Sequence, residues 1–320
     1  MFKSLQRMAL ACAVAAMPVC ATAAYPDKPI HIVVPFGAGS GTDTLARGLA
    51  KGLGEKLGQP VAVENKAGAG GGIGTSYVAR SNADGYTLLL STNGPMAANA
   101  SLYRQLPYDP VEDFAPIVLM GRLPMILIAN DDAPAASLQE LIAAAKANPG
   151  AINFGASNTT ARVWVELLKK MAGIDVTTVL YSNVGAMMTD LLSGRISYAF
   201  ENVGPSLPQI SAGKVRALAV TSPQRAAFAP GVPTVAESGF SEHELVVWIA
   251  LFAPKGTPAE VVARINRAAN ELLQGEALRA LAAQIGMAPA GGPPADLQAY
   301  QRAEVRNWRQ LVDMTGVTID

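Results

Sequence analysis

Short runs of apolar residues alternate along most of the chain with longer segments whose apolar positions recur every three or four residues. Short runs bounded by turn residues are typical of buried strands, and the longer periodic segments are typical of amphipathic helices. The alternation predicts an α/β fold with mainly parallel sheets. The predicted strands are 30–34, 61–64, 87–90, 117–120, 125–128, 152–154, 176–180, 196–200, 215–220 and 246–253.

The first predicted strand leads into a glycine-rich turn and a helix. Three glycines within residues 37–41 let the backbone turn sharply and approach a ligand closely. Thr42 or Asp43 is predicted to cap the helix, whose leucines recur every fourth residue over 45–57, and Gly58 is predicted to end it. Free N–H groups at the start of such a helix attract an anion.

Further helices are predicted from capping signals and from the same periodicity. Ser137 and Glu140 form a capping box, and Thr257 begins another that has a proline at the first helical position. Residues 222–244 have no clear period and are predicted to form a long connection. The later helices are expected at 137–147, 160–171, 185–192, 205–212, 257–273, 276–285 and 295–315.

The first 23 residues have the features of a secretory signal peptide. Lys3 and Arg7 precede the apolar segment 8–19, and small residues at 21–23 suit a cleavage site. The sequence therefore predicts export to the periplasm with cleavage near Ala23. Both cysteines, Cys12 and Cys20, lie within the first 23 residues. The mature chain therefore has none, which excludes disulfides and cysteine metal sites.

Size and charge set further limits. Removal of the signal peptide leaves about 297 of the 320 residues, more than one typical core, so two domains are expected. Basic residues then number 23 against 25 acidic ones, a balance that excludes a nucleic-acid-binding surface. We predict one lobe from 24–124 together with 248–320, and a second lobe from 125–247.

Polar side chains follow several predicted strands. Ser157, Asn158, Thr159 and Thr160 precede a helix, where hydroxyls and N–H groups can hold a carboxylate. Arg162 lies in the first turn of that helix, where a cation opposes the helix dipole. The misplaced charge favours two interpretations equally: a bidentate grip on a ligand carboxylate, or a surface pair with Glu166 one turn later.

Two more strand ends carry polar residues, and ligands of open α/β sheets gather at the carboxyl ends of strands. Tyr181 and Asn183 follow one predicted strand, and Glu201 follows another. Glu201 can pair with a ligand amine, accept from a ligand hydroxyl or orient its neighbours, and it can equally be a plain helix cap.

Catalytic and nucleotide-binding motifs are incomplete. The glycine loop 68–74 contains neither G-x-G-x-x-G nor a G-K-[ST] ending. Residues 155–159 resemble the G-x-S-x-G nucleophile elbow around Ser157 but lack its last glycine, and the available bases are His31 and His243. A periplasmic serine esterase that uses Ser157 is the alternative function. We predict no catalytic residue, no metal and no cofactor.

Several segments, in order, resemble the Bug-type solute-binding proteins of tripartite tricarboxylate transporters. The resemblance covers essentially the whole mature chain, and the motifs are individually weak but specific in their joint order. They are YPDKPI at 25–30, VPF at 34–36 with its glycine turn, ENKAGAGG at 64–71, DGYTL at 84–88, LPYDP at 106–110, DFAP at 113–116, LAVT at 218–221 and VPTVAE at 232–237.

The resemblance implies a type II periplasmic binding protein fold, in which two α/β lobes close on a small organic carboxylate in the cleft between them. One carboxylate is expected on the loops at 157–160 and 181–183, with backbone contacts from the turn after Pro35. The expected partners are membrane transporter subunits or a sensor kinase, and the chain is expected to be a monomer. The predicted ligand-binding residues are Phe36, Gly37, Ala38, Gly39, Thr42, Asp43, Asn93, Ser157, Asn158, Thr159, Thr160, Arg162, Tyr181, Asn183 and Glu201.

The chain departs from the family pattern around the expected pocket. Arg162 replaces a common histidine, Ser182 and Asn183 replace a basic residue and a glycine, and Glu201 replaces an aspartate. One hypothesis is that Arg162 takes over the cationic role lost at Ser182.

Overall fold

A computed structural model describes residues 25–181, 183–226, 228–240 and 245–319 of the protein, which form two mixed β-sheets flanked by helices. The predicted signal peptide, Ser182 and His243 lie outside the described residues. The strands are β1 (Ile30–Val34), β2 (Val61–Asn65), β3 (Thr87–Thr92), β4 (Phe114–Leu123), β5 (Met125–Asn130), β6 (Asn153–Ala156), β7 (Thr177–Leu180), β8 (Tyr198–Asn202), β9 (Val215–Val220), β10 (Val247–Pro254) and β11 (Ala288–Pro289).

The helices lie between these strands, as the periodicity predicts. A short 3₁₀ turn (Ala69–Gly71) and a π-helical turn (Gly94–Ala98) precede α2 and α3. The α-helices are α1 (Gly41–Leu57), α2 (Gly72–Ala79), α3 (Asn99–Leu102), α4 (Leu138–Ala147), α5 (Thr159–Ala172), α6 (Val184–Leu192), α7 (Val203–Ser211), α8 (Ala259–Gln274), α9 (Glu276–Gln284) and α10 (Pro294–Thr315).

The first sheet has the order β11-β4-β10-β3-β1-β2, and the second has the order β7-β6-β8-β5-β9. The expectation of mainly parallel sheets is wrong. Among the named strands of the described residues, only β1 with β2 and β3, and β6 with β7 and β8, pair in parallel, whereas β5 and β10 run antiparallel to both of their neighbours. An apolar run predicts burial and carries no information about strand direction.

Helix ends follow local chemistry. The predicted caps of α1 at Thr42 or Asp43 are wrong, because Ser40 is the N-cap and its hydroxyl accepts from the Asp43 N–H at 3.2 Å. Gly58 ends α1 in the left-handed conformation (φ 74°), as predicted. The π-helical turn at 94–98 and the short α3 were not predicted, since the segment has no apolar period long enough to reveal them.

Each sheet packs its apolar residues against its own helices. The described tryptophans, Trp164, Trp248 and Trp308, are all fully buried. Helix α10 packs against β4 of the first sheet and against α5 beside the second, so it joins the two halves of the molecule. The strands of the first sheet come from 30–123 and 247–289, and those of the second from 125–220, while the exact lobe boundaries stay a prediction. In the described part of the chain, no helix is both long and apolar enough to span a bilayer.

Candidate functional site

Strand ends from the two sheets face each other across the molecule. Asn93 directly follows β3, and its Nδ2 donates to Thr160 Oγ1 at 3.3 Å, in the other lobe. A Cβ placed on Gly41 would lie 3.7 Å from the Ile285 side chain, and one placed on Gly204 would lie 3.4 Å from the Ile285 backbone. The starts of α1 and α7 therefore flank the same residue, and the structure brings together strand ends that are far apart in sequence.

Asp43 is buried beneath the glycine turn and holds that turn in place. Its carboxylate accepts from the Gly39 N–H at 2.9 Å, from Arg47 Nε at 3.0 Å and from Asn65 Nδ2 at 3.0 Å. Burial opposes ionisation, but these hydrogen bonds and the Arg47 charge outweigh it, so the pKa of Asp43 lies below its ordinary value. The Asp43 carboxylate therefore stabilises the turn through hydrogen bonds within the protein, and Thr42 beside it is buried as well.

Part of the anion-binding capacity expected of this turn is used internally. The Gly39 N–H points to Asp43, the Ser40 N–H donates to the Gly37 carbonyl at 3.3 Å, and the Phe36 carbonyl accepts from Asn65. Gly37 and Ala38 are exposed. The capacity to hold an anion therefore rests on the N–H groups of Gly37 and Ala38 and on the first N–H groups of α1.

In the loop before α5, the side chains of Asn158 and Thr160 bind other groups of the protein, whereas Ser157 remains partly exposed. Asn158 is the N-cap, because its Oδ1 accepts from the Ala161 N–H at 2.9 Å, and Thr159 is the first helical residue. Asn93 and Thr160 are only 1% and 4% exposed, and their side chains bond each other. Those two residues join the lobes, while the loop backbone and Ser157 remain partly exposed.

Ser157 and Glu201 form a second polar pair at the strand ends, in which Glu201 is buried. The Ser157 hydroxyl donates to Glu201 Oε2, and the Asn202 N–H donates to Glu201 Oε1 at 2.7 Å. Glu201 is 1% exposed, and within the described part of the chain no cationic side chain pairs with it. Burial raises the pKa of Glu201, and the hydrogen bonds from Ser157 and Asn202 offset that rise only in part.

Replacement of Glu201 by glutamine is expected to change how stability depends on pH. The folded-state pKa lies above the ordinary 4.5, so the unfolded chain releases this proton first as pH rises. The wild type should therefore lose stability relative to Glu201→Gln as pH rises from about 4.5 through the folded-state pKa, by at most about 1.4 kcal/mol per pH unit.

Urea unfolding between about pH 4.5 and about pH 7.5 measures this difference. The matched control is Glu55→Gln, since Glu55 is exposed on α1. If the stabilities of the wild type and Glu201→Gln depend on pH in the same way, the raised pKa of Glu201 is contradicted.

The Arg162 side chain binds the C-terminal segment, although its backbone N–H donates to the Asn158 carbonyl at 3.1 Å. Its Nη1 donates to the Thr318 carbonyl at 3.1 Å. The pair with Glu166 is not formed, since Glu166 binds Lys169 Nζ at 2.9 Å and the Thr178 hydroxyl at 2.7 Å. The guanidinium thus tethers the C-terminal segment to α5, and this contact gives no support to a ligand-binding role.

The side chains of Tyr181 and Asn183 both form hydrogen bonds with α6. The Tyr181 hydroxyl donates to Asp190 Oδ2 at 2.8 Å, and Asp190 pairs with Arg195, which precedes β8 at its amino end. Burial and the Asp190 carboxylate raise the pKa of Tyr181 to about 12. The Asn183 Oδ1 caps α6 by accepting from the Ala186 N–H at 2.9 Å. The structure therefore does not bring the Tyr181 hydroxyl to the strand ends that carry Ser157 and Glu201.

Sequence reasoning missed several residues that shape this region. Asn65 and Arg47 fix the glycine turn through Asp43, and Ile285 separates the starts of α1 and α7. Asn65 ends β2, so the strand-end rule could have found it, and Arg47 is four residues after Asp43 on one helix face. No sequence signal singles out Ile285, whose role depends on a contact between distant elements.

A separate basin of about 600 Å³ lies on the first lobe. Its walls include Lys28 and His31 at the amino end of β1, with Tyr77, Arg80 and Asp84 nearby. Ligands of open α/β sheets bind at the carboxyl ends of strands, so we place the functional site at the opposite end. Among the described residues, no group of three or more His, Cys, Asp or Glu side chains could hold a metal ion.

Comparison with known proteins decides the family. Residues 45–317 match the family model described as the tripartite tricarboxylate transporter family receptor, TctC. The chain belongs to this receptor family. It is 40% identical to protein BugT of Bordetella pertussis, over 95% of this chain and 94% of BugT.

Solved structures of TctC-type proteins share the fold. Rpa4515 of R. palustris with adipate is 35% identical with a TM-score of 0.85, and it covers 92% of this chain and 99% of its own. MatC of Rhodopseudomonas palustris with bound malate is 29% identical with a TM-score of 0.80, and it covers 90% of this chain and 100% of its own. The type II periplasmic binding protein fold expected from the sequence is therefore confirmed.

As a TctC family member, the protein is a solute-binding receptor and not an enzyme. The serine esterase alternative is wrong. The Ser157 hydroxyl donates to the Glu201 carboxylate, while His31 binds Glu64 on the neighbouring strand at 2.7 Å. A nucleophilic serine needs a base within hydrogen-bond reach that is itself oriented for proton transfer, and the described residues provide no histidine there.

Proposed function

We propose that the protein is an exported, periplasmic receptor that captures a small organic carboxylate between its two lobes and does not transform it. The observation that carries the proposal is the meeting of strand ends from the two lobes: Asn93 after β3 donates to Thr160 at the start of α5, shortly after Ser157. Ile285 lies next to the starts of both α1 and α7. The adipate and malate bound by the similar proteins Rpa4515 and MatC support a carboxylate as the ligand class.

The proposed contacts are mainly backbone N–H groups at helix starts. Gly37 and Ala38 of one lobe and the loop from Ser157 to Thr160 of the other supply them, and the start of α1 adds a favourable dipole. Each hydrogen bond to a charged group contributes about 1.5–3 kcal/mol. After closure and ordering costs, three or four such bonds are compatible with micromolar affinity, about −8 kcal/mol.

A thermal-shift screen of small organic acids tests this proposal. A ligand present at about 100 times its dissociation constant should stabilise the protein by about 2.7 kcal/mol. The control compounds are the neutral primary amides of the same acids, which keep the shape and remove the charge, and they should give no shift.

Small-angle X-ray scattering tests the closure step. An acid that binds tightly should make the protein more compact, because only the closed form lets both lobes contact the ligand. Tight binding without compaction, or equal shifts for the acids and their amides, would contradict the proposal.

We further propose that the receptor acts as a monomer and delivers its ligand to the membrane subunits of a tripartite transporter. The family description, a transporter receptor, favours uptake over presentation to a sensor kinase. Export from the cytoplasm is inferred from the predicted signal peptide.

A further inference from the structure

The proton of the Ser157 hydroxyl points into the protein. Ser157 is partly exposed, whereas Glu201, to which it donates, is 1% exposed. A serine hydroxyl has one proton to donate and two lone pairs that accept. An ionised Glu201 can only accept, so above the folded-state pKa of Glu201 the Ser157 proton is committed to it and the exposed part of Ser157 is an acceptor.

The hydrogen bonds around Glu201 favour this direction of the bond, in which Ser157 donates and Glu201 accepts. Its other oxygen, Oε1, accepts from the Asn202 N–H at 2.7 Å, so donors already approach both carboxylate oxygens. Asn158 Nδ2 lies 3.5 Å from Ser157 Oγ, at the outer limit of a hydrogen bond, and leaves a second lone pair of that oxygen available. A ligand carboxylate next to Ser157 would therefore meet an acceptor and gain no hydrogen bond from it.

We infer that Ser157 is a specificity-determining acceptor, held in that role by Glu201 as a positioning residue, and that the ligand is a carboxylate carrying a hydrogen-bond donor, a hydroxyl or an ammonium. The inference rests on the proposed function and names the substrate class of the same site. A plain acid leaves the Ser157 acceptor unpaired once the lobes close, and a site built around a polar group rejects an analogue that lacks the matching partner.

Titration calorimetry with matched acids tests the inference. One series is succinate, malate and aspartate, and a longer one is adipate, hydroxyadipate and aminoadipate; each holds chain length constant and adds a hydroxyl or an ammonium. In the series that binds, a donor-bearing acid should bind at least about tenfold more tightly than the plain acid. The comparison of hydroxyl with ammonium identifies which donor is used.

The outcomes separate this inference from the proposed function. A plain acid that binds as tightly as its donor-bearing counterparts overturns the inference and leaves carboxylate capture intact. Failure of every acid to bind overturns the proposed function, and the inference with it.

Glu201→Gln provides the second test. A glutamine amide in the same place can donate to Ser157 Oγ and release the serine proton toward the ligand. The preference for donor-bearing acids should then fall at least about tenfold, while affinity for the plain acid holds or improves. Ser157→Ala should also remove the preference.

Ser193→Ala is the matched control, because Ser193 is exposed and its hydroxyl binds the Asp190 carbonyl at 3.2 Å. It should leave the preference unchanged. If Glu201 were merely structural, Glu201→Gln would weaken the binding of all the acids equally. An unchanged ratio of affinities between donor-bearing and plain acids in that variant overturns the inference.

Discussion

Replacement of Trp164 by alanine is expected to lower the free energy of unfolding by about 3–5 kcal/mol. The Trp164 ring on α5 is 1% exposed and stacks on Phe200 with a centroid distance of 5.5 Å and an interplanar angle of 22°. Its Nε1 also donates to the Leu245 carbonyl at 2.7 Å, in the segment that returns the chain to the first lobe. Alanine would leave a cavity and an unsatisfied buried carbonyl.

Chemical denaturation followed by far-ultraviolet circular dichroism measures the loss. Trp164→Phe keeps a ring against Phe200 and removes only the hydrogen bond and part of the volume, so its loss should be about 1–3 kcal/mol. Met314→Ala is the surface control, since Met314 is 37% exposed on α10, and its effect should stay within about 0.5 kcal/mol. A Trp164→Ala loss no larger than that of Met314→Ala would contradict the packing described for α5.

Replacement of Gly286 by alanine is expected to cost about 2–5 kcal/mol and to disturb the contact between the lobes. Gly286 has a φ of 73°, and a Cβ there would lie 2.5 Å from the Val203 Cβ and 2.6 Å from its Cγ1. Val203 begins α7 directly after Glu201 and Asn202. Because the clash forces these two segments apart, ligand affinity should fall by at least about tenfold, or about 1.4 kcal/mol.

Gly316 offers a matched control for this clash. It has a similar φ of 68° at the end of α10, and a Cβ there would have no atom within 4 Å. Gly316→Ala should therefore show only the left-handed backbone cost of about 1–2 kcal/mol and no loss of affinity.

A double-mutant cycle of Gly286→Ala with Val203→Gly isolates the clash. The second substitution removes the atoms that the new Cβ would meet, so the two effects should not add. Equal losses of stability in Gly286→Ala and Gly316→Ala, or additive effects in the cycle, would show that Gly286 does not meet Val203 at the start of α7 as described.

Much of the fold could be predicted because local sequence carries the relevant chemistry. The runs at 30–34 and 125–128 are apolar enough to identify buried strands, and Gly58 ends α1 because a left-handed residue satisfies its last carbonyls. Strand direction could not be predicted, since β5 and β10 have the same apolar character as the parallel strands. The short turns at 94–102 have too little periodicity to be visible.

The candidate site was predicted only in part. The strand-end rule selected Ser157 and Glu201, which the structure joins by a hydrogen bond, and their contact with a ligand stays a prediction. It also selected Tyr181 and Arg162, whose side chains bind Asp190 and the Thr318 carbonyl. A side chain at a strand end can turn several ways, and which way it turns depends on neighbours from other elements.

The sequence by itself determined the alternation of strands and helices, the glycine turn after β1, the polar ends of β6 and β8, and the motifs that link the chain to the TctC receptors. Only the tertiary structure decided that Asp43 faces inward, that Asn93 reaches Thr160, and that the Ser157 proton is directed to Glu201. The physical reason is separation along the chain. Periodicity and capping report on neighbours within a few residues, whereas Ser157 and Glu201 meet across 44 residues and Asn93 and Thr160 across 67.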